Sequence, residues 1–154
     1  MRPPNIVWLP HYIGRVHTDE ALAELFLATS RRIRRETMQR IGPLGLNPHL
    51  SRALRIIDDN APLRPSQLAA LLDVAPRSAS DTIAALTASG WITRSVDPDD
   101  GRAYRIELTE SGHALAAKVH ATRTAVTTEV FGVLDEAERQ MLSDFLCRLG
   151  VTSP

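Results

Sequence analysis

The fold is decided by residues 65–108, which read PSQLAALLDVAPRSASDTIAALTASG (65–90) and then WITRSVDPDDGRAYRIEL (91–108). Two segments with apolar residues at helical spacing begin at Pro65 and Pro76, and residues 73–75 separate them. Proline is favoured at the first helical position, and two helices joined by a short break are typical of a helix-turn-helix. Gly90 follows the second segment where a helix often ends in a left-handed residue. The first part therefore predicts a helix-turn-helix.

Three residues depart from the usual chemistry of this motif. The turn contains Asp73 instead of glycine, and Asp adopts left-handed backbone more readily than most other residues. Arg64 and Ala75 occupy the two N-cap positions, where Ser or Thr would accept a backbone hydrogen bond. We therefore expect both helices to begin without a side-chain cap.

The second part of the stretch predicts a β-hairpin. Residues 91–96 form an outgoing strand, 97–101 a turn rich in Asp, Pro and Gly, and 102–108 a return strand. The return strand alternates, with its apolar members on one face; these are Tyr104, Ile106 and Leu108. A hairpin that directly follows a helix-turn-helix is a wing.

Helical patterns flank this winged module. Thr18 is expected to cap a helix over about 18–40, Asn47 one that ends near residue 60, and Thr109 one over about 110–132. Asp135 opens a last helix, over about 136–149, with a capping box. Its apolar side chains are expected to face inward, and Cys147 is interpreted as a small buried hydrophobe; the stripe consists of Met141, Leu142, Phe145, Leu146 and Leu149.

These elements predict a mainly α fold with a small β-hairpin wing, a winged helix-turn-helix with terminal dimerisation helices. Four segments follow: an N-terminal arm (1–17), a dimerisation helix and linker (18–46), a winged helix-turn-helix DNA-binding domain (47–112) and C-terminal dimerisation helices (113–154). The terminal helices are far in sequence from the wing, and their apolar stripes need a partner, which favours a homodimer. Packing of those stripes within one chain is the alternative.

Candidate DNA-binding residues lie on the second helix of the pair, because that helix usually enters the major groove. Arg77 is the best candidate for a base or phosphate contact, and Ser78, Ser80 and Thr82 could reach phosphates or base edges. The alternative is an ordinary solvated face. In the wing, Arg94 lies on the outgoing strand, while Arg102 at the tip could enter the minor groove.

Two further wing residues complete the predicted site. Arg105 lies on the return strand, and Asp100 could hold the Arg102 guanidinium by a charge-assisted hydrogen bond. An exposed ion pair of little energetic value explains the same spacing equally well.

The sequence resembles the MarR family of transcription regulators over about residues 18–150. The resemblance rests on a set of short motifs: Leu68-Ala69, Val74-x-Pro76, Leu86-x-x-x-Gly90-Trp91-Ile92-x-Arg94, Asp100-x-Arg102 and Leu108-Thr109-x-x-Gly112. It implies a homodimer that binds double-stranded operator DNA, which is expected to be pseudo-palindromic because the dimer has two-fold symmetry. In it Arg102 is the wing-tip arginine and Asp100 its partner. It also implies repression of nearby genes and response to a small-molecule effector, an oxidant or a metal. Arg64 and Ala75 depart from the hydroxyl residues common in that family.

Charge constrains how such a protein could bind DNA. The chain has 18 basic and 18 acidic residues. Residues 1–48 have seven Arg against four acids, whereas residues 49–112 have seven Arg against nine acids. Binding by bulk charge is therefore disfavoured, and specificity is expected from a few placed arginines. The acidic balance of residues 49–112 also supports the alternative of a winged-helix protein-interaction module without DNA binding.

Other function classes find little support in the sequence. No apolar run is long enough to span a membrane, the N-terminus does not resemble a signal peptide, and one cysteine cannot form an intrachain disulfide, so a cytoplasmic location is expected. No nucleophile–base pair or Gly-rich phosphate loop suggests an enzyme, and no ligand set suggests a metal or cofactor. The residues that would bind an effector stay unknown.

Overall fold

A computed structural model describes residues 18–150 of the 154-residue chain. The predicted N-terminal arm, residues 1–17, lies outside the described residues. The elements run in the order α1 Asp19–Ile41, a 3-10 turn Gly42–Leu44, α2 Pro48–Asn60, α3 Pro65–Leu72, α4 Pro76–Ala88, β1 Ile92–Asp97, β2 Asp100–Leu108, α5 Glu110–Phe131 and α6 Glu136–Arg148. The fold is mostly helical with one antiparallel hairpin, as predicted. None of the helices within residues 18–150 has the length and apolar content that crossing a bilayer requires.

The helix-turn-helix forms with the predicted boundaries. Asp73 ends α3 in the left-handed conformation, with φ 54° and ψ 53°, which confirms its role as the turn residue. Neither Arg64 nor Ala75 provides a side-chain cap. At α3 the missing cap hydrogen bond is partly replaced, because Gln67 Oε1 accepts a hydrogen bond of 2.8 Å from the Arg64 backbone N–H.

The turn of the wing is shorter than the expected residues 97–101. Asp97 pairs with Asp100, so both lie in strands and not in the turn, and the register shifts between Val96 and Asp97. The physical reason is the Asp97 side chain: its Oδ1 accepts a 2.9 Å hydrogen bond from the backbone N–H of Asp99. Such an Asx turn fixes a tight reversal without help from glycine.

One apolar core joins the helix-turn-helix to the wing. Its fully buried side chains come from several elements: Ile41, Leu54, Ile57, Leu68, Ile83, Leu86 and Ile106. Ile106 also exchanges two backbone hydrogen bonds with Leu63, at 2.8 and 3.0 Å. Leu63, two residues before the start of α3, is thus paired with the wing, and the base of the wing is held by both backbone and core.

The junction between the wing and α5 explains the glycine of the Leu108-Thr109-x-x-Gly112 motif. Thr109 caps α5 by accepting from the Gly112 N–H at 3.1 Å, and its hydroxyl donates to Gly90 O at 2.7 Å. A Cβ at position 112 would lie 2.0 Å from the backbone oxygen of Trp91. Only glycine allows the start of α5 to approach the start of the wing this closely.

Apolar residues of α6, and Cys147, are more exposed than expected. The chain divides into two compact units, residues 1–36 and 37–154, and α1 crosses the boundary. α6 is capped as predicted, since Asp135 and Glu138 form the capping box. The expectation of an inward stripe on α6 is wrong for a single chain, because Met141 is 56%, Phe145 50% and Leu149 78% exposed. Cys147 is likewise exposed and not buried.

The outer surface of α3 carries an apolar side chain, since Leu71 is exposed. Leu68, Ala69 and Leu72 already form the buried face of this eight-residue helix, so a fourth apolar position points outward.

Candidate nucleic-acid interface

The predicted residues of α4 lie along its outer face. Arg77, Ser78 and Ser80 are exposed, Thr82 is half-buried, and Ala79, Ile83 and Leu86 form the opposite, buried face. Ser80 donates to Pro76 O at 3.0 Å and Thr82 to Ser78 O at 2.8 Å. Each of these two hydroxyls donates its proton to a carbonyl oxygen of the same helix. A contact with a phosphate oxygen would need that proton, because phosphate oxygens accept hydrogen bonds. Arg77 and Ser78 are better placed for such a contact.

The wing tip presents Arg102 to solvent. Asp100 Oδ1 accepts a 3.1 Å hydrogen bond from the backbone N–H of Arg102. The expectation that Asp100 holds the Arg102 guanidinium is wrong in this structure, because a short acidic side chain in a turn reaches its own backbone first. Within residues 18–150 the guanidinium has no ion pair. It is therefore open to an external anion.

Arg94 and Arg105 occupy different positions on the hairpin. The Arg94 guanidinium lies 5.0 Å from the ring centroid of Tyr104, a cation–π contact that orients it along the wing. Arg105 is half-buried, and its partners are Asp97, at 3.0 Å, and Asp99, at 2.7 Å. The structure therefore places Arg105 within the hairpin, opposite Ser95, with its donors directed at carboxylates near the turn.

Asp97 is the most buried charged group described in the winged module. Its residue is 1% exposed, yet its Oδ2 accepts from Arg64 Nε at 2.6 Å and from Arg105 Nε at 3.0 Å. The hydrogen bonds from Arg64 and then Arg105 hold the pKa of the Asp97 carboxyl well below its usual range. The hydrogen bond to Asp97 likewise raises the pKa of each guanidinium. All three groups are therefore charged at neutral pH.

Residue spacing does not predict this cluster, although the sequence contains one signal for it. Arg64 stands where Ser or Thr would cap α3, and an arginine that replaces a cap suggests that another partner holds its side chain. Nothing in residue spacing pairs Arg64 with Asp97, which lies 33 positions away. We call Asp97, Arg64 and Arg105 the Asp97 cluster.

A cavity of about 560 Å3 lies between α2 and α5. Arg55, Asp58, His113, His120 and Arg123 are among the residues that line it. Two contacts engage its acids: Arg55 with Asp59 at 3.3 Å and His113 with Asp58 at 3.1 Å. Across the part of the chain that the structure describes, no three His, Cys, Asp or Glu side chains gather as a metal site would require. A lining of both apolar and charged side chains makes the cavity a candidate site for an organic ligand.

Comparison with known sequences gives the same picture. The MarR family model matches residues 46–104. An uncharacterised HTH-type transcriptional regulator of Mycobacterium bovis is 29% identical over 144 residues, which cover 92% of this chain and 96% of the relative. An HTH-type transcriptional repressor of Mycobacterium tuberculosis is 26% identical over 132 residues, 86% of this chain and 95% of the relative.

Solved structures share the fold. The reduced form of MarR from E. coli is 22% identical, with a TM-score of 0.73 over 83% of this chain and 95% of that chain. A cysteine-to-serine mutant of the same protein, complexed with operator DNA, is also 22% identical, with a TM-score of 0.68 over 83% and 92%. The family match, the regulator relatives and the shared fold agree with the wing and helix geometry. Over residues 46–104 the chain matches the MarR family, and it shares the winged helix-turn-helix fold of MarR from E. coli.

Proposed function

We propose that this protein is a ligand-responsive repressor that binds a pseudo-palindromic operator as a homodimer. In this proposal α4 enters the major groove of double-stranded DNA, and the wing places Arg102 in the adjacent minor groove. The observation that carries the proposal is the joint exposure of Arg77 and Arg102, since one lies at the start of α4 and the other at the wing tip. Both belong to the compact unit 37–154.

The two arginines suit two kinds of DNA contact. The major groove admits a helix, and arginine there forms bidentate contacts with guanine or contacts with phosphate. The minor groove is narrow and strongly negative in A·T-rich DNA, which attracts an inserted arginine. Because residues 49–112 carry more acids than bases, neither contact can be replaced by a general positive field.

Exposed apolar side chains support the dimer. Met141, Phe145 and Leu149 repeat on α6 at about one-turn spacing and are at least half exposed. Leu22 and Phe26 on α1 are also half exposed. Large apolar side chains grouped on a terminal helix are typical of an interface, and a two-fold dimer would present two copies of α4 to two half-sites.

The repressor role is supported by a relative of this chain. The Mycobacterium tuberculosis relative is named a repressor. A regulator that occupies its operator blocks transcription there, so the same role is proposed for this chain. In vitro transcription from the promoter of the chain's own gene should fall as the purified protein is added.

The α2–α5 cavity supports response to an anionic small molecule. Arg123 lines it and makes no ion pair within residues 18–150, so its guanidinium is open to an anionic group. We expect salicylate to bind and to weaken DNA binding, whereas the uncharged salicylamide should do neither. Calorimetric titration of the wild-type protein and of an Arg123→Ala variant checks this. Equal binding of both compounds, or undiminished salicylate binding by the variant, would contradict this site.

A gel-shift experiment tests the DNA-binding part. The probe is a duplex from the region upstream of the chain's own gene, with a shuffled duplex of the same composition as control. A retarded band for the first duplex only, and a footprint with two-fold symmetry, are expected. Absence of any shift, together with co-purification of a protein partner, would instead favour the winged-helix protein-interaction module.

A further inference from the structure

The Asp97 cluster adds a side-chain link between the helix-turn-helix and the wing, besides the core and the Leu63–Ile106 backbone pairing. Arg64 immediately precedes α3, whereas Asp97 and Arg105 belong to the two strands of the wing. The backbone pairing of Leu63 with Ile106 brings the start of α3 beside the hairpin. The Arg64 side chain then spans from the helix-turn-helix to the far half of the wing, where its Nε lies 2.6 Å from Asp97 Oδ2.

The half of the wing next to the turn makes few other stabilising contacts. The buried apolar side chains of the hairpin, Ile92, Ile106 and Leu108, lie at its base. Nearer the turn, Tyr104 packs against the core and is partly buried, while Val96 is 72% exposed. A two-stranded hairpin is marginally stable by itself in water. The register shift between Val96 and Asp97 also breaks the regular ladder at this point. Asp97 therefore lies at the place where the hairpin most needs an additional constraint.

We infer that Asp97 fixes the orientation of the wing relative to the helix-turn-helix, with Arg64 and Arg105 as positioning residues, so that Arg102 meets DNA at a set distance from α4. This inference rests on the proposed function. Arg105 joins Asp97 to Asp99 inside the wing, whereas Arg64 joins the wing to α3. A buried carboxylate with two fixed guanidinium partners permits few geometries, which suits a positioning role.

Two arginines would therefore have roles different from those expected from the sequence. Arg105 would act within the protein and not as a direct DNA ligand. Arg64 does not cap α3, but its side chain connects the start of α3 to the wing through Asp97. An Arg64→Thr substitution separates these roles, since threonine can cap α3 and cannot reach Asp97. The variant should fold with at least the helix content of the wild-type protein.

The experiment compares hydroxyl-radical footprints and affinities of Arg64→Thr with those of the wild type, on the upstream duplex described above. We expect the protection of the central, α4-contacted positions to persist and protection of the flanking, wing-contacted positions to fade. Affinity should fall about tenfold, within the range usual for coupled sites. An Arg64→Lys variant keeps the charge and should recover part of the flanking protection.

An Asp97→Asn variant gives a second measurement that does not depend on DNA. Hydrogen exchange of the wing amides should accelerate in it, whereas a Glu107→Gln control, which removes the same charge from an exposed position of β2, should exchange like the wild type. Wild-type flanking protection in Arg64→Thr, or unchanged exchange in Asp97→Asn, would overturn the inference. Failure of the wild-type protein to bind DNA would overturn the proposed function itself, which the footprints distinguish.

Discussion

A Phe145→Asp variant is expected to be monomeric and to bind operator DNA about 100-fold more weakly than the wild type, as loss of a second linked binding event predicts. Phe145 is half exposed on α6 with Met141 and Leu149 at one-turn spacing. An aspartate in the centre of that stripe would bring an unpaired carboxylate into an apolar interface, where burial of a charge is strongly unfavourable. Each monomer would then reach only one half-site.

Sedimentation velocity measures the association state of this variant, and fluorescence anisotropy measures its affinity for the upstream duplex. Ser143→Asp is the matched control, because it adds the same charge to α6 at an exposed position about 200° around the helix. The control should remain dimeric and bind like the wild type. A Phe145→Asp protein that stays dimeric, or that binds DNA normally as a monomer, contradicts the proposed interface.

An Arg102→Ala variant is expected to lose about tenfold in operator affinity, with its folding unchanged. The Arg102 guanidinium makes no ion pair in the described chain, so its removal leaves no buried group unsatisfied. What is lost is the minor-groove contact, for which an arginine contributes about 1–3 kcal/mol. The loss should be greatest on duplexes with A·T-rich flanks, where the narrow groove attracts arginine most strongly.

Anisotropy titrations on duplexes that differ only in the flanks check this expectation. Lys118→Ala removes the same unit of charge from an exposed position on α5 and should leave affinity nearly unchanged. Thermal melting confirms that both variants fold. Equal affinities of Arg102→Ala and the wild type on every flank would show that the wing tip does not contact DNA.

Local sequence signals predicted most of the fold. Proline at positions 48, 65 and 76, and left-handed backbone at Asp73 and Gly90, depend only on neighbouring residues. The same holds for the caps at Asn47 and Thr109, whose side chains accept from backbone N–H groups three residues later. These interactions lie within one turn, so a single sequence contains all the information they need.

Long-range contacts could not be predicted in the same way. Arg64 and Asp97 meet because Leu63 pairs with Ile106, a contact between distant segments that periodicity does not reveal. Spacing pointed to Asp100 as the acid that holds an arginine, whereas in the structure Asp97 fills that role for two others. An apolar stripe such as that of α6 does not itself distinguish a buried face from an interface.

The central claim is sequence-specific DNA binding through a few placed arginines, and a salt titration of operator affinity tests it most directly. The wild-type protein should bind the upstream duplex at least about a thousandfold more tightly than the shuffled duplex at physiological salt. Its affinity should fall as salt rises, with a log–log slope of about 0.9 per phosphate contact. Equal affinity for the two duplexes, or no binding at low salt, would contradict the account.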